Sequence, residues 1–207
     1  MRTQRDRLLA AGAIWGPGLF IIAWVVGGFM VAGYSPVEDH ISNLASVYAP
    51  SHALMTFGLG AFGVGVATAA WPLRRFIGNP AAIALGFNGL FVVGVMLTPE
   101  GRSSDTDFLH GGFAILVYWS LTLVAPLAAL TFRRRGLIYW AMASWVAGVG
   151  TGVFLWISLE STKSGLFQRL GLTTTDVWLM AIGFAVVTGH FDSFLPPVSG
   201  ASVGMLL

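Results

Sequence analysis

The chain alternates long uncharged apolar runs with short polar connections. A helix needs about 20 apolar residues to cross the hydrocarbon core of a bilayer, and six runs reach or approach that length. We therefore predict an all-α fold, a polytopic membrane protein with a six-transmembrane-helix bundle, as a single integral membrane domain over residues 1-207. The predicted helices lie at about 8-33, 53-73, 80-99, 111-132, 137-159 and 174-192.

Composition agrees with membrane insertion and excludes several kinds of site. Hydrophobic residues make up 56% of the chain and charged residues only 10%, which is far from the usage of soluble domains. The chain has no cysteine, so disulfides, thiolate metal sites and cysteine nucleophiles are excluded.

The basic residues mark one side of the predicted membrane. By the positive-inside rule, this side is cytoplasmic, and both termini lie on it. The same confinement explains the basic pI of about 9.4, so no nucleic-acid partner is expected. We predict a multi-pass protein of the plasma (inner) membrane. The arginines that mark this side precede the first helix or follow the second and fourth: Arg2, Arg5, Arg7, Arg74, Arg75, Arg133, Arg134 and Arg135.

The most polar connection, GYSPVEDHISNLASVYAPSH at 33-52, falls on the outer side after the first helix. A proline that follows a serine near its start is typical of a helix N-terminus. Glu38, Asp39, Ser42 and Asn43 then recur at helical spacing. We expect a short surface helix that directs Asp39, Ser42 and Asn43 to one side.

The second and third helices resemble the fourth and fifth as a pair of hairpins. His52 and His110 open the inward helices, and Glu100 and Glu160 end the returning ones. This order predicts a parallel duplication with all four side chains at one outer level. The alternative is that these features are common to many unrelated hairpins.

The last connection, LESTKSGLFQRLGLTTTD at 159-176, mixes charged and apolar residues as an interfacial helix does. Arg169 in this segment has two candidate partners, a lipid phosphate or an aspartate of the first outer loop. Asp176 is placed on the outer side with the other acids. No ionisable residue is then expected at membrane depth, which argues against a pump or an ion channel.

These polar residues form a candidate site on the outer face. Histidine with carboxylate is a plausible divalent metal set, and His52 and His110 are the candidate ligands, but metalloenzyme histidine spacing is absent. A hydrolase with Ser42 or Ser51 as nucleophile lacks the G-x-S-x-G signature. The candidate site residues are Glu38, Asp39, Ser42, Asn43, His52, Glu100, His110, Glu160 and Arg169.

Four sequence features occur in a characteristic order. They are GYSPVEDHISNLAS after the first helix, TPEG at the end of the third, a histidine opening the fourth, and GLFQRLGLTTTDVWL leading into the last. This order resembles the domain of unknown function 998 family of bacterial and archaeal multi-pass membrane proteins. The resemblance implies six helices and no established activity. Asn43 stands where the family commonly has an acid.

We predict an integral membrane protein of unknown activity that handles a lipid or lipophile, with membrane lipids as partners. The alternative is a non-catalytic accessory subunit that binds other subunits of a larger membrane complex. A pocket between helices that opens to the outer leaflet favours the first function, and a closed bundle favours the second. We also expect His52, His110 and one acid of the pair Glu38 and Asp39 to converge. No cofactor is assigned, and enzymatic activity stays open.

Overall fold

A computed structural model describes residues 4–191, and this part of the chain folds into helices joined by short turns and loops. Six stretches of it are long and apolar enough to cross a membrane, α1 and α2 together forming the first. The predicted all-α bundle with six membrane-spanning helices is confirmed. The elements are α1 (Gln4–Ala10), α2 (Gly12–Met30), a 3-10 helix (Ile41–Ala45), α3 (His52–Ile77), α4 (Asn79–Leu97), α5 (Ser104–Arg134), α6 (Ile138–Glu160) and α7 (Ser164–Val187).

Three spans begin earlier than the apolar runs predicted, the first of them at Gln4 instead of about 8. Helix α5 begins at Ser104 instead of about 111, because the hydroxyl of Ser103 accepts a hydrogen bond from the Thr106 amide at 3.2 Å and caps the helix. Helix α7 begins at Ser164 instead of about 174. The prediction of a separate interfacial helix at 159-176 is therefore wrong, because most of that segment forms the first turns of α7. Arg2 and position 192, the predicted end of the last helix, lie outside the described residues.

Glycines allow the helices to approach closely. A Cβ atom at Gly12 would lie 2.2 Å from the carbonyl oxygen of Gly65, and one at Gly89 would lie 2.6 Å from that of Gly63. Such contacts need small residues, because helix association in a bilayer depends on close van der Waals packing. Neighbouring helices pack in chain order, and α7 packs against α2, so the bundle closes on itself.

Hydrogen bonds between helices supplement this packing. The amide of Asn88 on α4 donates to the hydroxyl of Ser120 on α5 at 3.0 Å. The indole of Trp178 on α7 donates to the hydroxyl of Ser144 on α6 at 2.9 Å. Bonds of this kind contribute about 0.6–2 kcal/mol each within a membrane. They fix α7 against α6 and α5 against α4, the helices that surround the site described below.

Candidate functional site

The loop predicted to face outward, residues 34–46, folds over one end of the bundle; we call it the first outer loop and this end the outer end. It does not form the single surface helix predicted from its spacing. The carboxylate of Asp39 instead accepts a hydrogen bond from the Ser35 amide at 2.8 Å and closes a turn, and His40 is extended before the 3-10 helix begins. Ile41 and Leu44 of the 3-10 helix are buried and hold the loop against the bundle.

Arg169, near the start of α7, fixes the first outer loop in place. Its side chain is only 7% exposed. Its Nη1 atom donates to the carbonyl oxygens of Pro36 at 2.8 Å, Asp39 at 3.0 Å and Gly165 at 2.9 Å, and its Nη2 atom donates to the hydroxyl of Tyr34. Of the two predicted partners, the loop is the one observed, through main-chain oxygens and not through a carboxylate.

The surroundings of Arg169 suit a buried cation. Its guanidinium carbon lies 5.3 Å from the ring centroid of Trp24 and 5.4 Å from that of Tyr34, within the range of cation–π attraction. Burial raises the pKa of Tyr34 above its ordinary value of 10.0, and the neighbouring Arg169 opposes that rise. Tyr34 therefore keeps its proton at neutral pH.

Gln168, the residue before Arg169, connects three parts of the outer half of the bundle. Its Oε1 atom accepts a hydrogen bond from the Ile41 amide of the 3-10 helix at 2.7 Å. Its Nε2 atom donates to the hydroxyl of Tyr118 on α5 at 2.6 Å. The loop, α5 and α7 are thus held together by one buried side chain.

A cavity of about 300 Å³ lies beneath the first outer loop. Its walls are mostly apolar and come from α2 to α7 and the 3-10 helix. The polar side chains that line it are His40, Ser42, Glu100, His110, Tyr118, Gln168 and Asp176.

The cavity extends to the lateral surface of the bundle between α5 and α6. Ile115 and Leu159 line it, yet each is more than half exposed on the surface that faces lipid. A second cavity of about 180 Å³, flanked by Trp119 and Trp156, shares Ile115, Tyr118 and Leu159 with the first. The two cavities therefore adjoin at exposed residues of α5 and α6, and we call this place the side opening.

Glu100 and His110 form a pair at the cavity wall. The Nε2 atom of His110 lies 3.5 Å from Oε1 of Glu100, and its Nδ1 atom lies 2.8 Å from the carbonyl oxygen of Thr98. Because a carbonyl can only accept, Nδ1 must carry a proton, and Nε2 faces the carboxylate. A second proton, on Nε2, makes this contact an ion pair between His110 and Glu100.

Asp176 is a second acid in the cavity wall, and it lies at membrane depth. It follows Ser164 by 12 residues, so it lies roughly 18 Å along α7 from the start of that helix. Its side chain is 1% exposed. The outer-side assignment of Asp176 is wrong, and so is the expectation that no ionisable residue would lie within a span.

The sequence does contain a signal for this face of α7. Gln168, Leu172 and Asp176 are spaced four residues apart, so they lie on one face of a helix, and all three line the cavity. The signal was missed because the helix was predicted to begin at about 174. Because α7 begins at Ser164, Gln168 and Asp176 lie on the same face of this helix.

The other predicted site residues are distributed over the outer face. Ser42, Glu100 and His110 line the cavity, and Asp39 meets Arg169 at the docked loop. The side chains exposed at the outer surface are Glu38, Asn43 and Glu160.

His52 makes a contact similar to that of His110. Its Nδ1 atom lies 2.8 Å from the carbonyl oxygen of Ala45, in the segment that precedes its helix. This likeness agrees with the predicted duplication of the hairpins, which stays a prediction. The convergence of His52 with His110 and an acid also stays a prediction.

The predicted metal ligands and Ser51 can be located among the described residues, whereas Ser42 as a nucleophile stays a prediction. Within residues 4–191, no group of three or more histidine or acidic side chains is placed to hold a metal ion. The hydroxyl of Ser51 donates to the carbonyl oxygen of Leu44 at 2.7 Å. That bond serves the loop structure.

Comparison with known proteins gives one match. The family model described as a protein of unknown function (DUF998) matches residues 14–185, which include every residue that lines the cavity. No curated protein and no solved structure matches the chain. The match covers most of the sequence and confirms the resemblance read from the motifs of the outer loops. The chain therefore belongs to the DUF998 family of proteins of unknown function.

Proposed function

We propose that the protein binds a lipophile dissolved in the membrane, in the cavity beneath the first outer loop. The observation that carries this proposal is an apolar cavity of about 300 Å³ with a side opening between α5 and α6. Ligand sites in proteins are mostly apolar clefts of roughly this size or larger, with a few polar groups that orient the ligand.

The side opening favours a ligand from the bilayer over one from water. Ile115 and Leu159 at the opening present apolar surface to lipid. The first outer loop, held by Arg169 and Gln168, covers the outer end of the cavity. A molecule that partitions into the membrane therefore reaches the cavity without crossing the loop.

The same cavity favours ligand binding over the accessory-subunit alternative. An accessory subunit is expected to be a closed bundle whose outer surface serves a partner. Exposed apolar side chains such as Trp156 and Phe87 are those expected of any helix that faces lipid. They give no separate support to a protein partner.

Filling the cavity tests the proposal. Ala114 lines the cavity, whereas Ala143 is exposed on α6 away from it. We expect the Ala114→Trp variant to lose a co-purifying lipophile at least about tenfold, as a loss of about 1.4 kcal/mol in affinity requires. Ala143→Trp is the matched control and should retain it. Native mass spectrometry in mild detergent measures the bound molecule.

Two results would contradict the proposal. One is an identical lipid profile for the wild type, Ala114→Trp and Ala143→Trp. The other is that a second protein co-purifies with the wild type in a one-to-one ratio while no lipid is bound in the cavity. That result would support the accessory role.

We also propose that the first outer loop faces the cell exterior and that both termini are cytoplasmic. Ser104 and Gly136 are exposed at opposite ends of α5, and the chain has no cysteine of its own. We expect a membrane-impermeant maleimide to label the Ser104→Cys variant on intact cells and to label Gly136→Cys only after permeabilisation. Labelling in the reverse order would refute this orientation.

A further inference from the structure

The carboxyl group of Asp176 has no partner in the cavity that it lines. Neither of its oxygens accepts or donates a hydrogen bond within residues 4–191, although the side chain is 1% exposed. A buried polar group without a partner is costly, and an unpaired charge in an apolar interior is more costly still. Ionisable residues within membrane spans usually mark functional sites. The missing partner of Asp176 is therefore a clue to the ligand.

The other charged groups near the cavity leave this acid uncompensated. Glu100 is a second acid in the wall, and His110 is already paired with it. Arg169 lies on the same helix as Asp176, but its guanidinium donates to the carbonyls of the first outer loop. Among the described residues, neither lysine nor arginine lines the cavity. The wall therefore presents acidic groups to whatever occupies it.

The sign of this charge selects among possible ligands. A phosphate or carboxylate head group would meet Glu100 and Asp176 with no lysine or arginine among the described residues of the wall to offset them, and like charges across an interface are strongly unfavourable. An alcohol would supply a hydrogen bond but no charge. An ammonium group supplies both, and charge-assisted hydrogen bonds are roughly twice as strong as neutral ones.

We infer that the ligand is a lipophilic amine and that Asp176 binds its ammonium group within the apolar cavity. This inference rests on the proposed lipophile-binding function and names the chemical class of the ligand. The hydrocarbon part of the ligand packs against the apolar walls, and the side opening gives it a path from the bilayer. The bound ammonium group lies at the depth of Asp176, near the middle of α7.

Binding of matched probes to the purified full chain tests this assignment. The probes are decylamine, 1-decanol and decanoate, which share one chain length and differ in the head group, measured by scintillation proximity. We expect decylamine to bind at least about tenfold more tightly than 1-decanol, and decanoate to bind weakest. The Asp176→Asn variant, which keeps the side-chain shape, should lose at least about tenfold in decylamine affinity and little in 1-decanol affinity.

Asp105→Asn is the matched control. It removes one negative charge from an exposed side chain in the first turn of α5, outside the cavity. We expect it to change decylamine affinity by less than about threefold, below the effect of a lost charged hydrogen bond. An equal loss in Asp105→Asn and Asp176→Asn would overturn the assignment to Asp176, because general negative charge would then explain the binding.

A second measurement needs no variant and covers the case in which Asp176→Asn does not fold. Dicyclohexylcarbodiimide, an apolar reagent, modifies carboxyl groups in the membrane interior. We expect it to label Asp176 in the wild type, as detected by peptide mass spectrometry. The protecting amine is N,N-dimethyldecylamine, because a primary amine such as decylamine would couple to the activated carboxyl as an amide, and we expect this tertiary amine but not 1-decanol to block the labelling. Failure of N,N-dimethyldecylamine to protect Asp176 would overturn the inference.

The outcomes separate this inference from the proposed function. If 1-decanol binds as tightly as decylamine and Ala114→Trp blocks both, the amine assignment is wrong and lipophile binding stands. If no probe binds and Ala114→Trp keeps the wild-type lipid profile, both proposals fail.

Discussion

Arg169→Ala should destabilise the protein more than loss of any other basic residue on the outer side. The guanidinium donates to three main-chain carbonyls and one hydroxyl while 7% exposed. A hydrogen bond from a charged group contributes about 1.5–3 kcal/mol, and such contributions within one network do not add fully. We therefore expect a loss of about 3–5 kcal/mol in the free energy of unfolding. Thermal unfolding in detergent, followed by tryptophan fluorescence, measures it.

Two further variants identify the cause. Arg102→Ala removes an exposed outer arginine and should leave the melting temperature nearly unchanged. Arg169→Lys keeps the charge but lacks the planar group with several donors, so we expect it to restore less than half of the loss. Full stability of Arg169→Lys would show that charge alone matters and that the hydrogen-bonding geometry does not.

Gly148→Leu should force α5 and α6 apart. A Cβ atom at Gly148 would lie 2.2 Å from Cδ and 2.4 Å from Cγ of Pro126. The proline ring cannot rotate away, so the backbone must move. Overpacking of this kind costs about 1–3 kcal/mol, and we expect the upper end because a rigid ring is the obstacle. Thermal unfolding in the same detergent gives the value.

Gly112→Leu on α5 is the control for this prediction. A Cβ atom there would meet no atom of the described chain within 4 Å outside its own neighbourhood. Its melting temperature should stay close to that of the wild type. Equal melting temperatures for Gly148→Leu and the wild type would mean that α5 and α6 can separate at no cost.

The number of membrane spans could be predicted from the sequence because length and apolarity decide it. The start of α7 could not be predicted in the same way. Its first turns carry Gln168, Arg169 and the polar stretch that ends at Asp176, so this segment looks too polar for a span. The bundle accommodates it because Gln168 and Arg169 bind the first outer loop at the outer end.

The candidate site was predicted only in part, because its residues are far apart in the chain. Glu100, His110 and Ser42 were identified from their place on the outer side, and they do line the cavity. The cavity depends on how six helices pack, and the contact of Gln168 with Ile41 joins residues 127 positions apart. Single-residue spacing cannot reveal such a contact. Asp176 could have been found from the helical stripe that it shares with Gln168.

The docking of the first outer loop on α7 also orders the assembly of the protein during synthesis. The loop is made early, but Arg169, which binds it, follows Pro36 by 133 positions in the chain. Until α7 enters the bilayer, the carbonyls of Pro36 and Asp39 lack their donor, and the cavity lacks the wall that carries Asp176. The cavity is therefore enclosed only in a late step, when α7 packs against α2.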